Sequence, residues 1–300
     1  MYQHGSRPRQ NFFQRHQRMA VPILLVLLLL SGAFLVYVVS SDERDDTDES
    51  AGTVQQATPE EQQPEEPVPE LPSVQAELDQ VLTSVRGTHS VLVEDLETGA
   101  VLASHRPDET YFTASIYKLY VAYLGLIDIQ EGVHNPDEPY NQGRTRIECI
   151  EVMLRDSDSP CPEQMWEEQG RDIGNQRLQD LGLTNTDLLA ITTTTQDANT
   201  ILKRLYEQTD LTEEHTELFR NSLRDYPERE FREGLPAAFS EATDITVYNK
   251  PGLYDEGWLD VAIIMVPNGR EVAVSIFSDS AYHQEVRTIA DAIITPLTED

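Results

Sequence analysis

The stretch that decides the fold is His105-Arg-Pro-Asp-Glu-Thr-Tyr-Phe-Thr-Ala-Ser-Ile-Tyr-Lys118, which leads into an apolar run ending at Gln130. Residues 115–130 are apolar on nearly every side, which predicts a buried helix. Ser115 and Lys118 are three residues apart, so both side chains should lie on one face near its start. A buried ammonium group loses affinity for its proton, so a neutral Lys118 could take the hydroxyl proton of Ser115. Ser-x-x-Lys alone also fits a buried serine beside a snorkelling lysine.

Two further short motifs lie downstream of this pair. Ser157-Asp-Ser159 stands at a predicted helix boundary, and Lys250-Pro-Gly252 follows the β-like residues 245–249. Only three of the 22 basic residues are lysines, namely Lys118, Lys203 and Lys250. Lysine can lose its proton when desolvated and arginine cannot, so we expect lysine to be kept where its chemistry matters.

The ordered set Ser-x-x-Lys, Ser-Asp-x and Lys-x-Gly resembles the penicillin-recognising serine enzymes, most closely their class A β-lactamase-like branch. Residues 105–118 resemble that family's approach to its nucleophile. Thr192-Thr-Thr-Thr-Gln-Asp197 resembles its Thr-rich helix entry, and Gly234-Leu-Pro-Ala-Ala-Phe239 its approach to the third motif. The resemblance covers about residues 73–300 and implies a serine-hydrolase fold.

The resemblance also implies catalytic roles for four side chains. Ser115 would be the acylated nucleophile, and Lys118 would be its base or proton relay. Ser157 would pass a proton to the leaving amine. Lys250 would hold the substrate carboxylate and bias the proton network electrostatically.

The resemblance further implies a substrate-binding set made of Ser159, Gly252 and Leu253. The backbone N–H groups of Ser115 and Leu253 would form the oxyanion hole, which stabilises the transition state by about 3–4 kcal/mol per donor in such sites. The implied substrate is a small peptide or a β-lactam-like molecule.

Three departures from the family pattern bear on activity. Ser159 replaces an asparagine whose amide holds the substrate and the catalytic lysine, and serine is shorter with one donor. Pro251 replaces a threonine or serine hydroxyl and removes a backbone N–H, which is tolerable only at the edge of a sheet. The loop that carries the deacylating glutamate is absent, and Asp187 is the only carboxylate in residues 183–191. Without a base for water, deacylation has no obvious catalyst.

The departures leave three functions open. The first is a membrane-tethered serine hydrolase that forms an acyl-enzyme on Ser115, acts on cell-wall peptides or another amide or ester, and turns over β-lactams poorly. The second is a catalytically inactive descendant that binds muropeptide or a protein partner. The third is an efficient β-lactamase.

Hydrophobic periodicity predicts an α+β domain from residue 73 to residue 300. Helices are predicted for residues 71–85 and 282–297, strands for residues 90–96 and 100–103, and a β-hairpin for residues 261–277. Shorter helical patterns between them cover residues 144–155, 161–169, 171–181, 195–208 and 212–224. This order suggests an antiparallel sheet assembled from both termini and flanked by terminal helices, with an all-α subdomain inserted at about residues 115–240.

The N-terminal region predicts a single membrane anchor. Residues 1–18 carry Arg7, Arg9, Arg15 and Arg18 without an acid, and residues 19–39 carry no charge. At about 1.5 Å per residue the uncharged run spans about 30 Å, one hydrocarbon core. The positive-inside rule predicts a cytoplasmic tail at 1–18, a transmembrane helix at 19–40, and an extracytoplasmic remainder. The alternative is a cleaved signal peptide, whose apolar region is normally only about 7–15 residues long.

Residues 41–72 predict a disordered stalk between the anchor and the folded domain. They contain eleven acids, one arginine, five prolines and no aromatic residue. Such a segment cannot bury enough apolar surface to offset the entropy lost on ordering.

Composition excludes several classes of ligand. The chain has 53 acids against 22 bases and a formal charge of −31, which argues against binding nucleic acid. Seven scattered histidines and two cysteines offer no metal-ligand spacing. We therefore predict no metal and no cofactor. The sequence does not define the oligomeric state.

The two cysteines, Cys149 and Cys161, bracket Ser157 and would lie outside the membrane, where disulfides persist. We predict a disulfide that joins two helices and fixes the junction presenting Ser157. Two unpaired buried thiols are the alternative.

Overall fold

The computed structural model describes residues 71–224, 235, 245–255, 257–279 and 283–298. The predicted tail, transmembrane helix and stalk lie outside these residues, apart from the last two positions of the stalk. Most of the stretch 234–239 also lies outside. Among the described residues, no helix has the length and apolarity needed to cross a membrane.

The described residues form nine strands, three of which are only two residues long. In chain order they are β1 (His89–Asp95), β2 (Val101–His105), β3 (Tyr111–Phe112), β4 (Pro139–Asn141), β5 (Arg144–Thr145), β6 (Thr192–Thr193), β7 (Thr246–Tyr254), β8 (Gly257–Met265) and β9 (Glu271–Ser278). Five of them form an antiparallel sheet in the order β2-β1-β9-β8-β7. The predicted sheet built from both ends of the chain is confirmed. The prediction that the inserted subdomain at about 115–240 is all α-helical is wrong, because β4 pairs with β5 and β6 pairs with β3 in two short sheets.

The helices match the predicted patterns closely. They are α1 (Gln75–Leu82), α2 (Tyr117–Gln130), α3 (Arg146–Arg155), α4 (Pro160–Gln169), α5 (Arg171–Asp180), α6 (Thr195–Glu207), α7 (Glu213–Arg224) and α8 (His283–Thr298). Helix α1 is shorter than the predicted 71–85. The backbone N–H of Val74 instead bonds to the carbonyl of Leu102 in β2, and residues 83–85 form turns back onto the last residues of α1.

The central strands β8 and β9 are buried on both faces, which explains why they read as nearly continuous apolar runs. Alternate residues of β8 point to opposite sides. Leu259, Val261 and Ile263 pack into the core shared with the inserted helices. Ala262 and Ile264 pack into a second core formed with the terminal helices α1 and α8. The sheet is therefore the middle layer between two apolar cores.

Helix α2 lies at the centre of the inserted helices, and eleven of its residues are buried. The prediction of a buried helix is confirmed, but its start was wrong by two residues. Ser115 lies in a 3-10 turn, Ala114–Ile116, that precedes the α-helix. The turn is anchored by hydrogen bonds from Thr113 N–H to the carbonyl of Ile191 and from Ile116 N–H to the carbonyl of Thr113.

Candidate active site

The junction between α3 and α4 is held by local sequence signals and one covalent bond. Thr145 and Glu148 form a capping box that begins α3, and Pro160 occupies the first turn of α4. Cys149 and Cys161 form the predicted disulfide, with a Cα–Cα distance of 5.4 Å. The bond therefore clamps the two helices on either side of the segment that carries Ser157.

Ser157 adopts a left-handed backbone conformation with φ of 57°, which is uncommon for a residue with a side chain. Its hydroxyl oxygen lies 3.1 Å from Nζ of Lys118 and 3.0 Å from Nζ of Lys250. Ala114, which precedes the predicted nucleophile, also has a positive φ, of 43°. Such conformations concentrate at functional sites because the surrounding structure must hold them in place.

Lys118 connects the Ser-x-x-Lys motif with the Ser157-Asp-Ser159 motif. Its Nζ lies 3.3 Å from the hydroxyl oxygen of Ser115 and donates to the backbone carbonyl of Ser157 at 2.6 Å. Only 2% of the residue is exposed. Burial lowers the pKa of Lys118 to about 8, although the charges of Asp158 and Glu163 oppose this change. A useful fraction of the amine is therefore neutral near neutral pH.

Lys250 lies on β7, the edge strand of the sheet, and is as deeply buried as Lys118. Its Nζ contacts the Ser157 hydroxyl and the carbonyl of Pro251, at 3.0 and 3.3 Å. Pro251 fits this strand because an edge position tolerates the loss of a backbone N–H. Ser115, Lys118, Ser157 and Lys250 are thus brought into one continuous chain of polar contacts.

Gly252 allows the edge strand β7 to approach the 3-10 turn that carries Ser115. A Cβ atom at this position would lie 3.0 Å from both the backbone oxygen of Thr113 and Cγ1 of Ile116. A side chain here would require Ile116, the Thr113 carbonyl or the strand itself to shift by a few tenths of an ångström. The structure therefore gives Gly252 a steric role, while its predicted part in substrate binding stays a prediction.

An open cleft of about 720 Å³ lies against this chain of contacts. Ser115, Lys118, Ser159 and Leu253 all line it, so the predicted binding residues Ser159 and Leu253 share one surface with the predicted nucleophile. Ser159 is the residue before α4, and its side chain makes no capping hydrogen bond. The proposed oxyanion role of the Ser115 and Leu253 N–H groups stays a prediction.

Asp187 does not line this cleft. Its carboxylate accepts hydrogen bonds from the side chain of Asn175 and from the backbone N–H groups of Leu189 and Ala190. The Asn175 bond in particular holds the pKa of Asp187 below its ordinary value. These hydrogen bonds make the Asp187 carboxylate part of the turn that leads into β6.

Sequence reasoning missed the wall of the cleft formed by α4. Glu163, Gln164, Trp166 and Glu167 of this helix line it, together with Arg171 at the start of α5. The 163/167 spacing places both carboxylates on one helical face. The spacing of Glu163 and Glu167 can be read from the sequence, but only the fold shows that their side of α4 lines the cleft that also contains Ser115. In the described ranges no group of three or more His, Cys, Asp or Glu side chains is suited to hold a metal ion.

The antiparallel sheet, the inserted helices and the three Ser–Lys side-chain contacts define a serine hydrolase of β-lactamase-like fold. The model of the β-lactamase enzyme family matches residues 73–298. The chain therefore belongs to that family, as its motifs indicated. A comparison with curated proteins gives no match.

Solved structures share the fold at low sequence identity. PBP-A is 18% identical, with a TM-score of 0.66 over 75% of this chain and 98% of the other. An ancestral (GNCA) class A β-lactamase is 18% identical, with a TM-score of 0.67 over 74% and 99%. A PBP-A mutant in an acyl-enzyme complex with penicillin G is 17% identical, with a TM-score of 0.64 over 74% and 94%.

Proposed function

We propose that this chain is a membrane-anchored, extracytoplasmic serine hydrolase that forms an acyl-enzyme on Ser115. Its substrate is a cell-wall peptide or a related amide or ester. The observation that carries the proposal is the contact chain from Ser115 through Lys118 and Ser157 to Lys250. The similar class A β-lactamase and the PBP-A mutant in its acyl-enzyme complex with penicillin G support a β-lactam as a substrate analogue.

Acylation follows from the chemistry of these four side chains. Neutral Lys118 takes the hydroxyl proton of Ser115 as Oγ bonds to the carbonyl carbon of the substrate. When the carbon–nitrogen bond breaks, the Ser157 hydroxyl passes a proton to the departing nitrogen. Ser157 regains its proton from the ammonium of Lys118, whose Nζ is within hydrogen-bond distance. Lys250 stays charged and attracts the substrate carboxylate.

Deacylation is the slow half of the proposed cycle. The deacylating loop of the family is absent from the sequence, and Asp187 is occupied elsewhere. The side chains of Ser159 and Pro251 also give the substrate fewer hydrogen bonds than the family pattern provides. Poor β-lactam turnover is therefore part of the proposal.

The location of the enzyme is proposed from the sequence. An uncharged run at 19–39 with arginines before it supports a single membrane-spanning helix, and the disulfide supports an oxidising compartment for the domain. The acidic stalk at 41–72 would hold the domain away from the membrane.

Burst kinetics test this function. We expect a chromogenic cephalosporin to release about one equivalent of product per chain, followed by slow steady-state hydrolysis, because acylation outpaces deacylation. Ser115→Ala is the control and should give no burst. Rapid linear turnover would contradict slow deacylation. No burst with the unmodified protein would favour the inactive binding module for muropeptide or a protein partner.

A further inference from the structure

Glu163, a carboxylate of α4 in the wall of the cleft, has no role in the catalytic steps described above. Glu163 lines the cleft with Ser115 and Lys118 and is exposed to solvent. Its side chain makes no hydrogen bond or ion pair with any residue that the structure describes. A carboxylate that lines the same cleft as the reacting groups and is accessible to water has the chemistry of a general base.

The neighbouring carboxylates already accept hydrogen bonds from other residues. Glu167 accepts a hydrogen bond from Nε of Arg171 at 2.9 Å. Asp158 accepts from the backbone N–H of Cys161 at 3.2 Å and lies 3.6 Å from the guanidinium of Arg144. Glu163 is therefore the carboxylate of the described cleft wall best able to accept a proton from water.

The charge of Glu163 acts on two side chains that closely follow Ser115 in the chain. Burial raises the pKa of Tyr117 to about 12, and the charge of Glu163 adds to that rise. The same charge opposes the lowering of the Lys118 pKa that burial causes. Tyr117 and Lys118 are the second and third residues after Ser115, so the field of Glu163 reaches this part of the nucleophile segment.

We propose that Glu163 activates water for hydrolysis of the acyl-enzyme, from helix α4 instead of from the family's loop. Glu163 takes a proton as the water oxygen bonds to the ester carbon. When the bond from that carbon to Ser115 Oγ breaks, the proton that Glu163 took from water passes through Lys118 to Oγ, so Glu163 is again a carboxylate and Lys118 again a neutral amine. The products are a carboxylic acid and the original Ser115 hydroxyl. This inference rests on the proposed acylation of Ser115.

The proposal also accounts for slow, rather than absent, deacylation. The side chain of Glu163 is exposed to solvent and no described hydrogen bond fixes its orientation, so the attacking water is poorly positioned. Loss of positioning reduces the contribution of a general base, because the reacting atoms must be held in a productive geometry.

The test compares Glu163→Gln with Glu167→Gln in the full chain. Both replacements are nearly isosteric, on one face of one helix and in the same cleft. After acylation with penicillin G, the adduct is followed by intact mass spectrometry. We expect Glu163→Gln to lengthen the adduct lifetime about 10- to 100-fold. Acylation should not be slowed, because loss of the Glu163 charge favours the neutral amine of Lys118. Glu167→Gln should leave both quantities close to those of the unmodified protein.

Hydroxylamine separates base catalysis from a change in site structure. It is a stronger nucleophile than water and depends less on a base, so it should release the adduct from Glu163→Gln and from the unmodified protein at similar rates. An unchanged adduct lifetime in Glu163→Gln would overturn the inference while leaving acylation of Ser115 intact. Equal slowing with water and hydroxylamine would also overturn it. Absence of an adduct in every protein would overturn the proposed function and this inference with it.

Discussion

Replacing Lys118 with arginine is expected to slow acylation of Ser115 by about 100- to 10,000-fold, the usual contribution of a general base. Arginine keeps the positive charge but cannot lose its proton in a protein. Lys118 can, because burial lowers its pKa to about 8. The rate is measured in a single turnover with a fluorescent penicillin. A rate within a few-fold of the unmodified protein would show that Lys118 acts only through its charge.

Two other lysines provide matched controls for this substitution. Lys203→Arg should have no effect, because Lys203 is an exposed residue of α6 that pairs with Glu207. Lys250→Arg should be milder than Lys118→Arg, because an electrostatic anchor needs charge more than a titratable proton.

The pH dependence of acylation follows from the same lysine. The base form of Lys118 is the neutral amine, so the rate should rise with pH through about 8 and then level off. At pH 7 only about a tenth of the lysine is neutral if its pKa is near 8. A rate that falls as pH rises from 6 to 9 would contradict the assignment of the base.

Removing the disulfide with Cys149→Ala and Cys161→Ala is expected to lower the free energy of unfolding by about 3 kcal/mol. The cross-link restricts the unfolded chain, and its two cysteines are separated by 12 positions. Thermal or urea unfolding measures the loss. Acylation should slow as well, because the bond clamps the helices on either side of Ser157.

Reductant provides the control for the disulfide. It should destabilise the unmodified protein toward the level of the double variant and leave the double variant unchanged. Equal stability of the unmodified protein with and without reductant, with complete reduction verified by mass, would contradict a stabilising role for the bond.

Much of the fold could be predicted because its signals are local. The apolar runs of β8 and β9 and the turn at 267–270 indicate a hairpin without knowledge of the rest of the chain. The helical patterns at 144–155 and 161–169 are likewise local, and the structure confirms them as helices Arg146–Arg155 and Pro160–Gln169. Three short motifs then identified the family and the four side chains that form the contact chain.

What the sequence could not predict depends on contacts between distant segments. The 3-10 turn at Ser115 depends on a hydrogen bond from Thr113 to Ile191, far along the chain. The left-handed conformation of Ser157 has no signal in the residue type. Glu163 reads as one acid among 53 until the fold places α4 beside the nucleophile.

The central claim is that Ser115 forms a covalent acyl-enzyme with the help of Lys118. Peptide mapping by mass spectrometry after incubation with penicillin G tests it most directly. The account predicts one penicilloyl group per chain, located on Ser115 and lasting minutes or longer, and none in Ser115→Ala. An unmodified Ser115 peptide under saturating penicillin, or an adduct at another residue, would contradict the account.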